Sequence, residues 1–134
     1  MFSLIITIVS IALIVAITGA TMYYGGDSLT QGRDKANASA IVAAGQQIAG
    51  AINMYDAMED TPLTGEVDEE GLKTALVDEG YLKAIPQVNG ATGQWAVDTG
   101  TNQITLTDVS TNVCDAIGDG GIYECASGTF TLSY

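Results

Sequence analysis

MFSLIITIVSIALIVAITGATMYY, Met1 to Tyr24, contains no charged side chain, and SLTQGRDKANASAIVAAGQQIAGAINMYDAM, Ser28 to Met58, follows with apolar residues at helical spacing. As a helix the first stretch reaches about 36 Å at 1.5 Å per residue, enough to cross a hydrocarbon core of about 30 Å. A secretory signal peptide would open with basic residues, whereas nothing basic precedes Arg33. A signal anchor would carry Lys or Arg on its cytoplasmic flank. The expectation is therefore that Met1 is a processed N-terminus whose basic leader has been removed.

Between the two stretches lie Thr18-Gly19-Ala20-Thr21 and Gly25-Gly26. Each glycine costs a helix about 1 kcal/mol relative to alanine, so Gly19, Gly25 and Gly26 are expected to break the hydrophobic half of the helix. Asp27-Ser28 ahead of Gln31 has capping-box spacing and supplies a restart. From there Ile41, Ala44, Ile48, Ala51, Ile52 and Tyr55 recur every three or four positions and form one apolar stripe. Arg33, Lys35, Gln46 and Gln47 occupy the opposite face. The stripe needs a partner surface, and the C-terminal half of the chain is the candidate.

Asp56 to Gly71 is acidic and holds Pro62 and Gly65, which stops the helix near Met58. A short amphipathic helix fits Glu69 to Asp78, with Leu72, Ala75 and Leu76 on one face and Gly80 as its C-cap. Ile85 before Pro86 is biased toward extended backbone. The last third reads as β: Gln94–Val97, Gln103–Val109, Ile122–Cys125 and Thr129–Tyr134 are rich in β-branched and aromatic residues and separated by turn chemistry. An antiparallel meander is the economical arrangement. On the second strand Ile104, Leu106 and Asp108 fall on the side facing the helical stripe. Thr111 to Ile117 is expected to form a helical turn carrying Cys114. The fold class is thus α+β, with a long helix on a small antiparallel sheet. The expected domains are a hydrophobic segment, 1–26, and a globular head, 27–134, itself divided into a helix (27–58), an αβ loop with a short helix (59–92) and a β-meander with a disulfide loop (93–134).

Composition removes several function classes. The chain has four basic and sixteen acidic residues, a net charge of −12, which makes nucleic acid a poor partner. Without a histidine there is no histidine-dependent triad and no imidazole base. No nucleophile–base pair or phosphate loop is visible, so no enzyme activity and no cofactor is expected. Cys114 and Cys125 have too few companions for a metal site and are read as a short disulfide loop, which implies an oxidising compartment. Asp115, Asp119 and Glu124 are weak calcium candidates, because Ile117 and Ala126 stand at ligand positions of an EF-hand-like template starting at Asp115.

An uncharged N-terminal segment running into an amphipathic helix, the stretch Leu76-Val77-Asp78-Glu79-Gly80-Tyr81-Leu82-Lys83-Ala84-Ile85-Pro86, four short strands and a late cysteine pair together resemble a mature bacterial type IV pilin or a related pseudopilin. The Gly80 to Pro86 portion is similar to the Gly-Tyr-Leu-x-x-Ile-Pro segment of many such proteins. The resemblance implies a subunit held in the inner membrane, N-methylated at Met1, and drawn by an assembly machine into an extracellular filament of its own copies. Met1, Phe2, Ile5, Ile6, Ile8, Val9 and Leu13 would pack in the filament core. Family members usually have a glutamate where this chain has Ile5, and neither Ser3 nor Thr7 supplies a charge in its place. Arg33 and Lys35 are candidates to face acidic groups of an adjacent subunit within Glu66 to Glu70. The alternatives are a pseudopilin of a secretion machine, a binding domain on a membrane anchor, or an archaeal-type pilin.

Overall fold

The computed structural model describes residues 1–134 and divides into two compact units, Met1–Arg33 and Asp34–Tyr134. The first helix, α1, runs without interruption over Phe2–Met58. The expected break at Gly19, Gly25 and Gly26 is therefore corrected, and so is the restart at Ser28. Glycine lowers helix propensity but keeps its N–H, so the i→i−4 ladder survives where a proline would remove a bond. The Thr30 hydroxyl donates to the Gly26 carbonyl at 3.1 Å and adds a local bond in this region.

In the C-terminal unit α1 buries Ile41, Ala44, Ile48, Ala51 and Ile52, the stripe expected from the spacing. It rests on an antiparallel sheet whose inward residues include Trp95, Val97, Ile104, Leu106, Phe130 and Leu132. Close approach depends on Gly45: a Cβ there would stand 3.1 Å from Phe130 Cε1. Phe130 in turn meets Trp95 edge-on, with centroids 6.2 Å apart. Burial of each large aliphatic side chain in such a core is worth about 1.5–3 kcal/mol.

The helix ends at Met58, before Pro62. The Asp56 carboxylate accepts from the Leu63 amide at 3.1 Å and steers the chain away. Inside the acidic connection lies a strand that sequence reading missed, β1 (Glu66–Val67), paired with Asp98 and Val97. Two residues show no usable alternation, and only the pairing with β2 creates the element. Next comes α2, Glu69–Leu72, capped by Asp68, whose carboxylate accepts from the Gly71 amide at 2.9 Å. It passes directly into a π-helical turn, Lys73–Asp78. Gly80 follows at φ +86°, as a C-capping glycine requires. Tyr81 then ties this segment to the end of α1: its hydroxyl donates to Glu59 Oε1 at 2.8 Å and its ring meets Tyr55 edge-on.

The remaining elements are β2 (Trp95–Asp98), β3 (Gln103–Leu106), α3 (Thr111–Ile117), β4 (Tyr123–Ala126) and β5 (Thr129–Ser133). The order across the five-stranded sheet is β1-β2-β3-β5-β4, with antiparallel neighbours throughout. This corrects the meander: β5, not β4, lies beside β3. The reason is apolar content. β5 alternates buried Phe130 and Leu132, while β4 presents exposed Glu124 and Ala126, and a strand of that kind belongs at an edge. Ser127 and Gly128, at φ +53° and +78°, make the tight turn that folds β5 inward. A Ser-Gly pair between two strands was the signal available for it. β3 is also shorter than expected; Asp108 lies beyond it, exposed and at φ +53°, not on the apolar side. The disulfide joins Cys114 on α3 to Cys125 on β4.

Candidate functional site

The N-terminal unit is a helical surface without a covering layer of its own. From Met1 to Tyr24 every residue is exposed, including Phe2, Ile5, Ile6, Ile8, Val9 and Leu13. α1 is long and apolar enough to cross a membrane, and none of its most apolar window is buried within the chain. Four of the hydroxyls in this stretch are bonded within the helix. The hydroxyls of Thr7, Ser10 and Thr18 donate to the carbonyls of Ser3, Ile6 and Ile14 at 2.8, 2.7 and 2.7 Å, and Thr21 donates to Thr18 at 2.9 Å. Beyond its first turn, a helix whose backbone and hydroxyls are bonded within itself presents few unsatisfied donors to hydrocarbon.

At about 100° per residue, the hydroxyl residues Ser3, Thr7, Ser10, Thr18 and Thr21 all fall within a sector of about 80°. Phe2, Ile5, Ile6, Ile8, Val9 and Leu13 occupy the remaining sides. Sequence reading noted Ser3 and Thr7 as polar groups but not this sidedness, although the spacing of Ser3, Thr7 and Ser10 signalled it. Ile5 lies on the apolar side and is exposed.

The charged candidates separate into two groups. Arg33 belongs to the N-terminal unit and is exposed; Lys35 belongs to the C-terminal unit, where it borders a groove with Ser39, Val42 and Tyr123. Within Glu66 to Glu70, two acids already have local work. Asp68 caps α2, and Glu69 Oε2 accepts from the Trp95 amide at 3.2 Å, taking the place of a strand partner on that side of β2. Glu66 and Glu70 remain exposed.

No three His, Cys, Asp or Glu side chains come together in a metal-binding arrangement. Asp115, Asp119 and Glu124 are all exposed, and Asp119 Oδ1 accepts from the Gly121 amide at 2.9 Å, organising its own turn. Titration behaviour is perturbed at three groups. The hydrogen bond to Glu59 raises the Tyr81 hydroxyl, since the carboxylate holds the proton in place. Hydrogen bonds from Thr101 and then from the Gly100 amide lower Asp98. Burial, followed by the charges of Asp56 and Asp98, raises Tyr134. Tyr81 lies in a loop, Asp98 at the end of β2 and Tyr134 at the chain end.

Comparison with family models, with curated proteins and with solved structures yields no match.

Proposed function

We propose that the chain is a structural subunit that polymerises through its apolar N-terminal helix into an extracellular filament of the type IV pilin kind. The observation that carries this reading is the fully exposed apolar stretch Met1–Tyr24 at the start of a helix whose later part, Ala38 to Ile52, is the spine of a small α+β unit. An apolar surface of that size requires either lipid or protein around it. A charge-free helix is stable in a bilayer, and in a bundle of its own copies it again meets apolar groups. Transfer from membrane to fibre then exchanges one apolar environment for another. Burial of 1,000 Å² of apolar area would correspond to about 25 kcal/mol gross, before ordering costs. Ile5 in place of an acid means that attraction between a side-chain carboxylate and a neighbouring N-terminal amine is not part of assembly here.

The reading is tested by shearing cells that express the chain and examining the released material by electron microscopy. Fibres containing this chain are the expected result. A chain that stays wholly in the membrane fraction, and is monomeric in detergent, would instead be a simple anchor with a small domain.

Arg33 and Lys35 are assigned a secondary part, facing Glu66 or Glu70 of an adjacent copy. Exposed pairs contribute only about 0–1 kcal/mol each, so their effect lies in orienting copies and is screened by salt. Arg33→Glu with Lys35→Glu should reduce the fibre yield at low salt. An unchanged yield removes these pairs from the assembly.

A further inference from the structure

After α1, Ile122 is the one large apolar side chain left exposed, at 56 % accessibility. It sits in the turn between α3 and β4, flanked by exposed Asp119 and Glu124. The turn is held in shape. The Gly121 amide donates to Asp119 Oδ1 at 2.9 Å, the Gly120 amide to the Tyr123 carbonyl at 2.9 Å, and the Ser133 amide to the Ile122 carbonyl at 2.8 Å. An apolar knob near two carboxylates is thus presented on a backbone that is already ordered, which lowers the cost of a contact.

The opposite flank of the sheet carries its complement. The α2 segment contacts β1 and β2, and between the helical turn and the Lys83 loop lies a groove of about 680 Å³. Its half-buried apolar members are Val77 and Ile85, and its cations are Lys73 and Lys83, both exposed. Glu69 and Glu70 also line it, the former engaged with the Trp95 amide at 3.2 Å. The chain has four basic residues against sixteen acidic ones, and two of the four line this groove and offset Glu69 and Glu70 there, so it offers a carboxylate of another copy a pair of cations beside apolar surface.

We infer that Ile122 of one copy seats against Val77 and Ile85 of the next, with Asp119 and Glu124 directed at Lys73 and Lys83. β4 stands three strand positions from β2 in the sheet order, about 14 Å at the usual spacing. Knob and groove therefore lie on different flanks of one unit. Such a contact is heterologous, the class that builds an open filament when the rotation between successive copies does not close into a ring. It rests on the filament reading and adds to it the contact that sets the register between neighbouring C-terminal units. The apolar knob supplies attraction, and the charges select orientation.

The test uses the full chain with Lys83→Cys and Ile122→Cys together, displayed and then mildly oxidised. Fibres that yield a ladder of dimers, trimers and higher species, collapsed to monomer by a thiol reductant, support the contact, with each single variant giving no ladder. Fibres without a ladder overturn this contact and leave the filament reading standing. Absence of fibres from the unaltered chain overturns both. Charge reversal supplies a readout independent of cysteine chemistry. Lys73→Glu with Lys83→Glu should lower the fibre yield at low salt roughly tenfold, and Asp119→Lys with Glu124→Lys added to the same chain should restore it. An unchanged yield in the first variant, or no recovery in the second, overturns the assignment.

Discussion

Phe130→Ala is expected to destabilise the C-terminal unit by about 3–5 kcal/mol, the usual cost of emptying a buried aromatic site. Phe130 is fully buried, touches Gly45 of α1 and meets the Trp95 ring edge-on at 6.2 Å, so it joins helix to sheet at the centre of the core. A small domain holds only about 5–15 kcal/mol in total. The loss would therefore leave a substantial unfolded fraction. Little collapse is available to relieve the cavity, because the β3–β5 pairing of Leu106 with Phe130 fixes the backbone on that side. Urea unfolding of the detergent-solubilised chain, followed through its single tryptophan, Trp95, should show the midpoint falling by roughly 2 M. A midpoint within a few tenths of a molar of the unaltered chain would mean that α1 does not seat on the sheet through this ring.

The second large effect is expected from Cys114→Ala with Cys125→Ala. Closing a loop of this length is worth about 3 kcal/mol on the chain-entropy estimate, and the loss should be regional. α3 is seven residues long, too short to persist as a helix without tertiary support, and β4 is an edge strand. Both are tied down by the disulfide between Cys114 and Cys125. Hydrogen exchange should therefore accelerate most in α3 and β4, while β2, β3 and β5 keep their protection. Equal acceleration across the whole sheet would show that the bond supports the entire unit and not its last third.

Some features were legible because they are local. The α1 stripe from Ile41 to Ile52 follows from spacing and its end at Met58 from Pro62 and the acidic run, and the helical turn expected over Thr111 to Ile117 is α3. Gly80 was readable as a cap because few other residues take its backbone conformation. β1 was not legible, since Glu66 and Val67 form a strand only against β2. The place of β5 beside β3 was hidden for a similar reason: adjacency across a sheet is decided by which strand has the apolar residues to occupy an interior position, and Phe130 and Leu132 outrank the residues of β4. The continuity of α1 through Gly25 and Gly26 went against a correct propensity argument. Propensity penalties of about 1 kcal/mol lower local stability without removing a hydrogen bond.

The sequence by itself determined a charge-free apolar helix, an amphipathic continuation, a strongly acidic composition, and a cysteine pair placed to close a loop. These follow from composition and period, which are properties of neighbouring residues. Tertiary structure alone decided the strand order, the use of Asp68 and Glu69 as backbone acceptors, and the placing of Ile122 and the Lys73–Lys83 groove on different flanks of the sheet. Those are relations between residues far apart in the chain, and they exist only once the apolar stripe of α1 and the inward face of the sheet have found each other and excluded water between them.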